Sequence, residues 1–199
     1  MSYMVFVEGL SNLKALELAS KGNIQLAAQR AINRTADTTR TASAREIRRQ
    51  VNFPAQYLTP SAGRLAVSKR AGPGSLEAII KGQHRATSLA RFVTGSTRVG
   101  KAGVTVQVQP GVAKRMSRAF LIRLPHGSGK VDTKFNLGLA IRLKPGERLQ
   151  NKKKAIRMAR GLYLLYGPSV DQVFQTVASD VSPEAAEKLE EEFLRLLEI

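Results

Sequence analysis

Residues Gly95–Ala102 read GSTRVGKA, the G-x-x-x-x-G-K spacing with which backbone N–H groups and a lysine hold the phosphates of a nucleotide. The chemistry fails at two points. Ala102 stands where the motif needs a Ser or Thr hydroxyl for magnesium, and the residues that follow, GVTVQVQ, alternate like a strand. A phosphate loop must instead open into a helix N-terminus. The segment therefore reads as a basic hairpin loop. Gly167-Pro168-Ser169-Val170 is likewise no nucleophile elbow, because Asp171 replaces the second glycine of G-x-S-x-G. Ser169 suits the N-cap of a helix instead. The carboxylates before residue 180 are Glu8, Glu17, Asp37, Glu46, Glu77, Asp132, Glu147 and Asp171. None has the D-x-D or E-x-x-H spacing that holds a divalent ion. His84 and His126 have no acidic cluster beside them and read as loop or surface residues. With no cysteine there is neither a disulfide nor a thiolate metal site. The expectation is a non-enzyme, with no catalytic, metal or cofactor residues.

What remains is charge. The chain of 199 residues carries a net +17. Its last stretch, Asp180–Ile199, sets seven acids against Lys188 and Arg195, a net −5 that leaves +22 on residues 1–179. Such a field attracts phosphates and acidic surfaces. The densest basic cluster is Lys152, Lys153, Lys154, Arg157 and Arg160. It could contact successive phosphates without reading base sequence. It could equally be a solvated loop, or meet an acidic partner such as the C-terminal helix of another copy. No aromatic residue is interleaved with it, which argues against a single-strand stacking platform. The N-terminal MSYMVFVEGL is too short and too poor in basic residues for a signal peptide, and no apolar run reaches the roughly 18 residues of a membrane span. The expectation is a soluble chain with no membrane partner.

The elements that position these groups follow from period and punctuation. Leu10 to Val51 lacks Gly and Pro after Gly22 and is rich in Ala, Gln and Arg. Ile24, Ala28, Ile32, Ala36, Ile47 and Val51 form a thin apolar stripe, with Arg30, Arg34, Arg45, Arg48 and Arg49 on another face. Asn52-Phe53-Pro54 ends this helix. Arg64–Arg70 and Leu76–Gly82 flank a Gly/Pro turn and read as a hairpin. Val104, Val106 and Val108 alternate with polar residues, Arg118–Pro125 is a continuous apolar run, and Leu137, Leu139, Ile141 and Leu143 share a face. Leu162–Leu165 reads as a buried strand that delivers Tyr166, Gly167, Pro168 and Ser169 to a sheet edge, as a corner that seats against a neighbouring subunit. A short helix then runs from Val170 to about Ser179. A second begins with Ser182 as N-cap and Pro183 in its first turn, and carries Ala186, Leu189, Phe193, Leu196 and Leu197 as its stripe. Glu187, Glu190, Glu191 and Glu192 make this an acidic interface element, supported by Glu184–Lys188 and Glu191–Arg195 pairs. The order predicts an α+β fold, a mostly antiparallel sheet of about five strands packed by a long N-terminal helix, with C-terminal helices. The expected division is a basic domain over 1–179 and an acidic helical arm over 180–199.

The segment LYGPSV, Leu165–Val170, followed by an amphipathic stretch near the end of a basic chain of this size, resembles the minor tail protein Z family of lambda-like, long-tailed bacteriophages. The early Arg/Ala helix, the pair RLAVSKRAGPGSLEAIIKG, and SRAFLIRLPHGSGK before LGLAIRLKPGERL are similar in order and character. The likeness covers most of Gly22–Phe174, with LYGPSV its one distinctive motif. The resemblance implies a virion structural protein that completes the tail at its head-proximal end, as a homo-oligomer in a hexameric ring. Implied partners are the tail tube or tail terminator protein and the head–tail connector protein, with genomic double-stranded DNA in the lumen as a further candidate. Localisation would be the virion neck, with the host cytoplasm during assembly. The alternative class is a sequence-nonspecific nucleic-acid-binding protein, for which the +22 body speaks.

Overall fold

The computed structural model describes residues 21–95, 98–125, 136–149 and 154–197. They form two compact units. The first takes the chain up to Ile47, Ala55–Gln83 and Phe174 onward; the second takes Arg48–Pro54 and His84–Val173. The expected boundary at 179/180 falls inside a continuous helix.

Helix α1 (Lys21–Gln50) is the long helix that the Gly/Pro-free stretch dictates. Its buried positions in the first unit are Ala27, Ala28, Ala31, Thr35, Ala36, Thr39, Arg40, Ser43 and Ile47. All but Arg40 and Ile47 are small, so this face lets neighbours approach closely while burying little apolar area. Helix α2 (Val170–Leu197) covers part of it. Leu189 and Phe193 pack on Ala27, Ala28 and Ala31, with Ile24, Ile32, Leu196 and Leu197 at the margins. Arg34 pairs with Glu192 at 3.2 Å, and Arg45 acts on the Glu184 carboxyl eight residues earlier. The helices therefore run antiparallel.

The expected break in α2 does not occur. Ser182 is no N-cap: its Oγ donates to Ala178 O at 2.7 Å, and Pro183 lies inside the helix. Proline here costs one bond to the Ser179 carbonyl. The apolar row Val177, Ala178, Val181, Ala185, Leu189 and Phe193 passes through it without changing phase, and its burial outweighs that bond. The same row places Ala185 inward and leaves Ala186 exposed, the reverse of the expectation. Arg195 pairs with Glu192 (2.9 Å), not with Glu191.

The other element of the first unit is the antiparallel hairpin β1 (Leu65–Lys69) and β2 (Ile79–Gly82), reached through 3₁₀ turns at Ala55–Leu58 and Pro60–Ala62. Three α1 residues on one face hold these segments, at i, i+4 and i+7. Asn33 binds both backbone groups of Ala71 (3.0 and 2.9 Å), and Asp37 takes Arg70 in a two-point pair (3.0 and 2.8 Å). Arg40 donates from Nε to Leu65 O at 2.9 Å and from Nη2 to Leu58 O. Burial lowers the Arg40 pKa from its ordinary value, and the nearby Asp37 charge opposes that shift.

The second unit is a six-stranded antiparallel sheet. Its strands are β3 (Val93–Thr94), β4 (Ala102–Gln109), β5 (Val112–Arg123), β6 (Leu137–Arg142), β7 (Ala155–Arg157) and β8 (Leu162–Leu165), in the order β3-β4-β5-β6-β8-β7. Counting the hairpin of the first unit, the α+β fold has more strands than the expected five. The additions β3 and β7 are too short for an alternating pattern to announce. β4 follows the GSTRVGKA segment directly, so a strand stands where a phosphate loop would need a helix. Leu139 and Ala140 are both fully buried, so the middle of β6 is covered on both faces. Gly138 lies under Leu164: a Cβ there would stand 2.4 Å from Leu164 Cδ1.

Replacing Arg40 with Met keeps the length of the side chain and removes both donors to the Leu58 and Leu65 carbonyls. The variant should lose about 3 kcal/mol of stability, read from urea denaturation, with Arg40→Lys intermediate. A loss below about 0.5 kcal/mol would show that these carbonyls do not depend on the guanidinium.

Candidate functional site

Three distant segments of the second unit meet at one groove. The first follows α1. Asn52 donates from its backbone N–H to Val108 O (2.7 Å) and from Nδ2 to Gln107 O (3.3 Å), which lays Val51–Phe53 beside the end of β4. Phe53 is buried there with its ring 5.4 Å from that of Phe92. The second segment is the tight β4–β5 turn, where Gln109 faces Val112 across Pro110 and Gly111. Gly111 has φ +78°, a conformation glycine adopts without strain. The third is the Tyr166–Ser169 corner with Lys154. Together they enclose an open groove of about 770 Å³, lined by Arg49, Gln50, Val51, Val108, Gln109, Pro110, Val112, Lys154, Tyr166, Gly167, Pro168 and Gln172.

The corner is built more tightly than a strand running out to a free edge. β7 pairs outside β8, Tyr166 N–H donates to Lys154 O (3.1 Å), and Ser88 bridges Tyr166 from the other side. The expected sheet-edge position is thus replaced by a corner bonded on both flanks. Gly167 N–H donates to Thr87 O (2.8 Å), and a Cβ on Gly167 would come within 3.3 Å of Leu89 Cδ2 and Phe92 Cε2. Ser169 starts α2 as expected, and does so reciprocally. Its Oγ accepts from Gln172 N (3.1 Å) while its own N–H donates to Gln172 Oε1 (3.0 Å). This is the S-x-x-Q capping box. Asp171, in the first turn where a negative charge is favoured, is buried and receives His84 Nδ1 at 2.9 Å. His84 is exposed as expected, but it has this acidic partner, distant in sequence.

Of the basic cluster, Lys152 and Lys153 lie outside the described residues, as does His126. Lys154 is exposed on the groove, Arg157 is exposed on β7, and Arg160 sits in the β7–β8 turn with φ +56°. The structure therefore brings Lys154 together with Tyr166, Gly167 and Pro168, and adds Arg49, which the sequence placed only on a helix face. Elsewhere on the sheet, the Arg118 guanidinium holds the Glu147 carboxyl below the usual carboxylate range through a two-point contact (3.2 and 2.7 Å), helped by Lys144 N–H (2.8 Å). Within the first unit, Glu187, Glu190 and Glu191 are exposed on α2, whereas Glu192 is half-buried between Arg34 and Arg195. Among the described residues no three His, Asp or Glu side chains gather as a metal site would require, and no helix is long and apolar enough to cross a membrane.

The contact of Gly167 with Leu89 and Phe92 fixes what substitution there should do. Gly167→Val should lower the thermal midpoint, at a cost of about 1–3 kcal/mol, while Gly167→Ala should cost less than half of that. Two variants with the midpoint of the parent chain would show that the corner does not pack on the Leu89–Phe92 turn.

The groove, a bonded corner beside it and an exposed acidic row are features of a surface that meets other proteins. No curated protein and no solved structure matches the chain significantly. The family model of the prophage minor tail protein Z (GPZ), however, matches residues 7–198, nearly its whole length. The chain belongs to the prophage minor tail protein Z family and is a structural protein of the phage tail.

Proposed function

We propose that this tail protein is the completion adaptor of the neck. It caps the head-proximal end of the tail tube and joins it to the head–tail connector as a homo-oligomeric, hexameric ring around the DNA channel. The observation that carries the reading is the family match over residues 7–198, which leaves almost no part of the chain to serve another purpose. Its partners are then further copies of itself, the tail tube or terminator protein and the connector. Its place is the virion neck, reached from the host cytoplasm during assembly. Segregated charge supports the ring. Lys154, Arg157 and Arg160 are exposed in the second unit, and Glu187, Glu190 and Glu191 at the C-terminal end of α2. Complementary patches at different places on one chain favour head-to-tail contact, which closes into a ring when the rotation allows. The acidic end of α2 serves as the interface element. Lys154, Arg157 and Arg160 face either the DNA in the lumen or the neighbouring proteins.

A phage lacking this gene should accumulate filled heads and full-length tails that do not join, and purified chain should restore joining in a mixed extract. Absence of tails altogether would put the protein in tube assembly and sink the adaptor reading. The charge-reversal variant belongs at Glu187, Glu190 and Glu191, because Glu192 is held inside its own unit. It should lose joining activity while keeping the helical circular dichroism of the parent. If instead the isolated chain is monomeric and shifts duplex DNA with a steep salt slope, the nucleic-acid-binding alternative replaces the adaptor.

A further inference from the structure

We infer that the groove of the second unit is the receptor for the acidic end of α2 from a second copy of the chain; this rests on the ring reading above and names the two surfaces that would meet. Both halves of the contact are incomplete in the same chemical sense. The groove carries two exposed cations, Arg49 and Lys154, and no carboxylate among its lining residues. Between them lies apolar surface from Pro110, Pro168 and Val112, the last 57% exposed. Such a cleft suits an amphipathic segment that brings negative charge on its flanks and an apolar side chain at its centre.

The outer row of α2 has that composition. Glu187, Glu191 and Leu194 stand at i, i+4 and i+7, one above another on the helix surface, and all three are exposed. Leu194 is 50% exposed among acids, whereas the inner row of Leu189 and Phe193 is already used against α1. A large apolar side chain left in the middle of a charged row has no role in its own unit. In the groove it would cover Val112 while Glu187 and Glu191 met Arg49 and Lys154. A DNA backbone would satisfy the cations but leave the apolar surface uncovered, so an acidic helix is the better occupant.

The test uses the full-length chain and reads self-association by sedimentation velocity at low salt. Lys154→Glu with Arg49→Glu, and separately Glu187→Lys with Glu191→Lys, should each weaken association about tenfold or more. Leu194→Ser should weaken it with no change of charge. Mixing the two charge-reversed chains should restore mixed assembly, because each then presents the complement of the other. The inference is overturned if the parent chain is monomeric at every concentration, if either reversal leaves association unchanged, or if the mixture associates no better than its parts. It is also overturned if the groove variant changes duplex-DNA affinity while self-association stays as it was. Mixed assembly that is restored but fails to join heads to tails would leave the groove assignment standing and remove the adaptor reading. Joining by a parent chain whose association ignores the reversals would do the opposite.

Discussion

The first unit is organised around a shortage of apolar bulk. α1 presents a run of Ala, Thr and Ser where most helices present Leu and Ile, and only Ile47 is both large and fully buried. Hydrophobic area alone would hold such a helix weakly. Two devices offset this. Small residues at Ala27, Ala28 and Ala31 bring Leu189 and Phe193 close, and directed polar contacts from Asn33, Asp37 and Arg40 tie the helix to the backbone that follows it. Arg40 is the extreme case, a buried cation that occupies carbonyls which an irregular connection would otherwise leave without donors. Because guanidinium does not deprotonate in proteins, this anchor is insensitive to pH across the range in which proteins remain folded.

The second unit follows a different logic. Its sheet is conventional in register, and what is particular lies where chain segments leave it. Asn52 extends the pairing beyond β3, the Pro110–Gly111 turn closes β4 on β5, and Tyr166 continues the ladder before α2 begins. Each local rule is ordinary. Their conjunction produces a concave surface with cations on its rim and no acid among its lining residues.

Much of this was legible in the residues and some was not, for reasons of range. The α+β order, α1, the hairpin and the strands β4, β5, β6 and β8 follow from period and punctuation over windows of about ten residues. Ser169 was readable as a cap, and the Gln172 three positions later was the remaining signal of the capping box. Pro183 misled because a Ser-Pro pair signals a helix start only when the apolar row also changes phase there. Arg40 could not be found by pattern, since nothing local separates a buried arginine from its exposed neighbours on the same helix. The groove needed Arg49, Val112 and Pro168 to be brought together from segments far apart in the chain. Lys154 was read as part of a basic cluster, but not as a side chain beside apolar surface.

The segments of the first unit are spread along the chain, with the strands of the second unit between them. This bears on the order in which a ribosome delivers the parts. The Ala27–Ala28–Ala31 face of α1 emerges early, and Leu189 and Phe193 reach it only after the whole sheet has been made, an interval on the order of ten seconds. During that time the helix has the hairpin to bind and the rest of its cover is missing. The sheet, by contrast, lies mainly in one uninterrupted stretch and draws on nearby partners. A chain truncated before Leu189 would thus lack both the packing that covers α1 and the outward acidic row of the same helix. Folding and display of that row are completed by the same last turns of synthesis, so unfinished chains are excluded from any assembly that uses them.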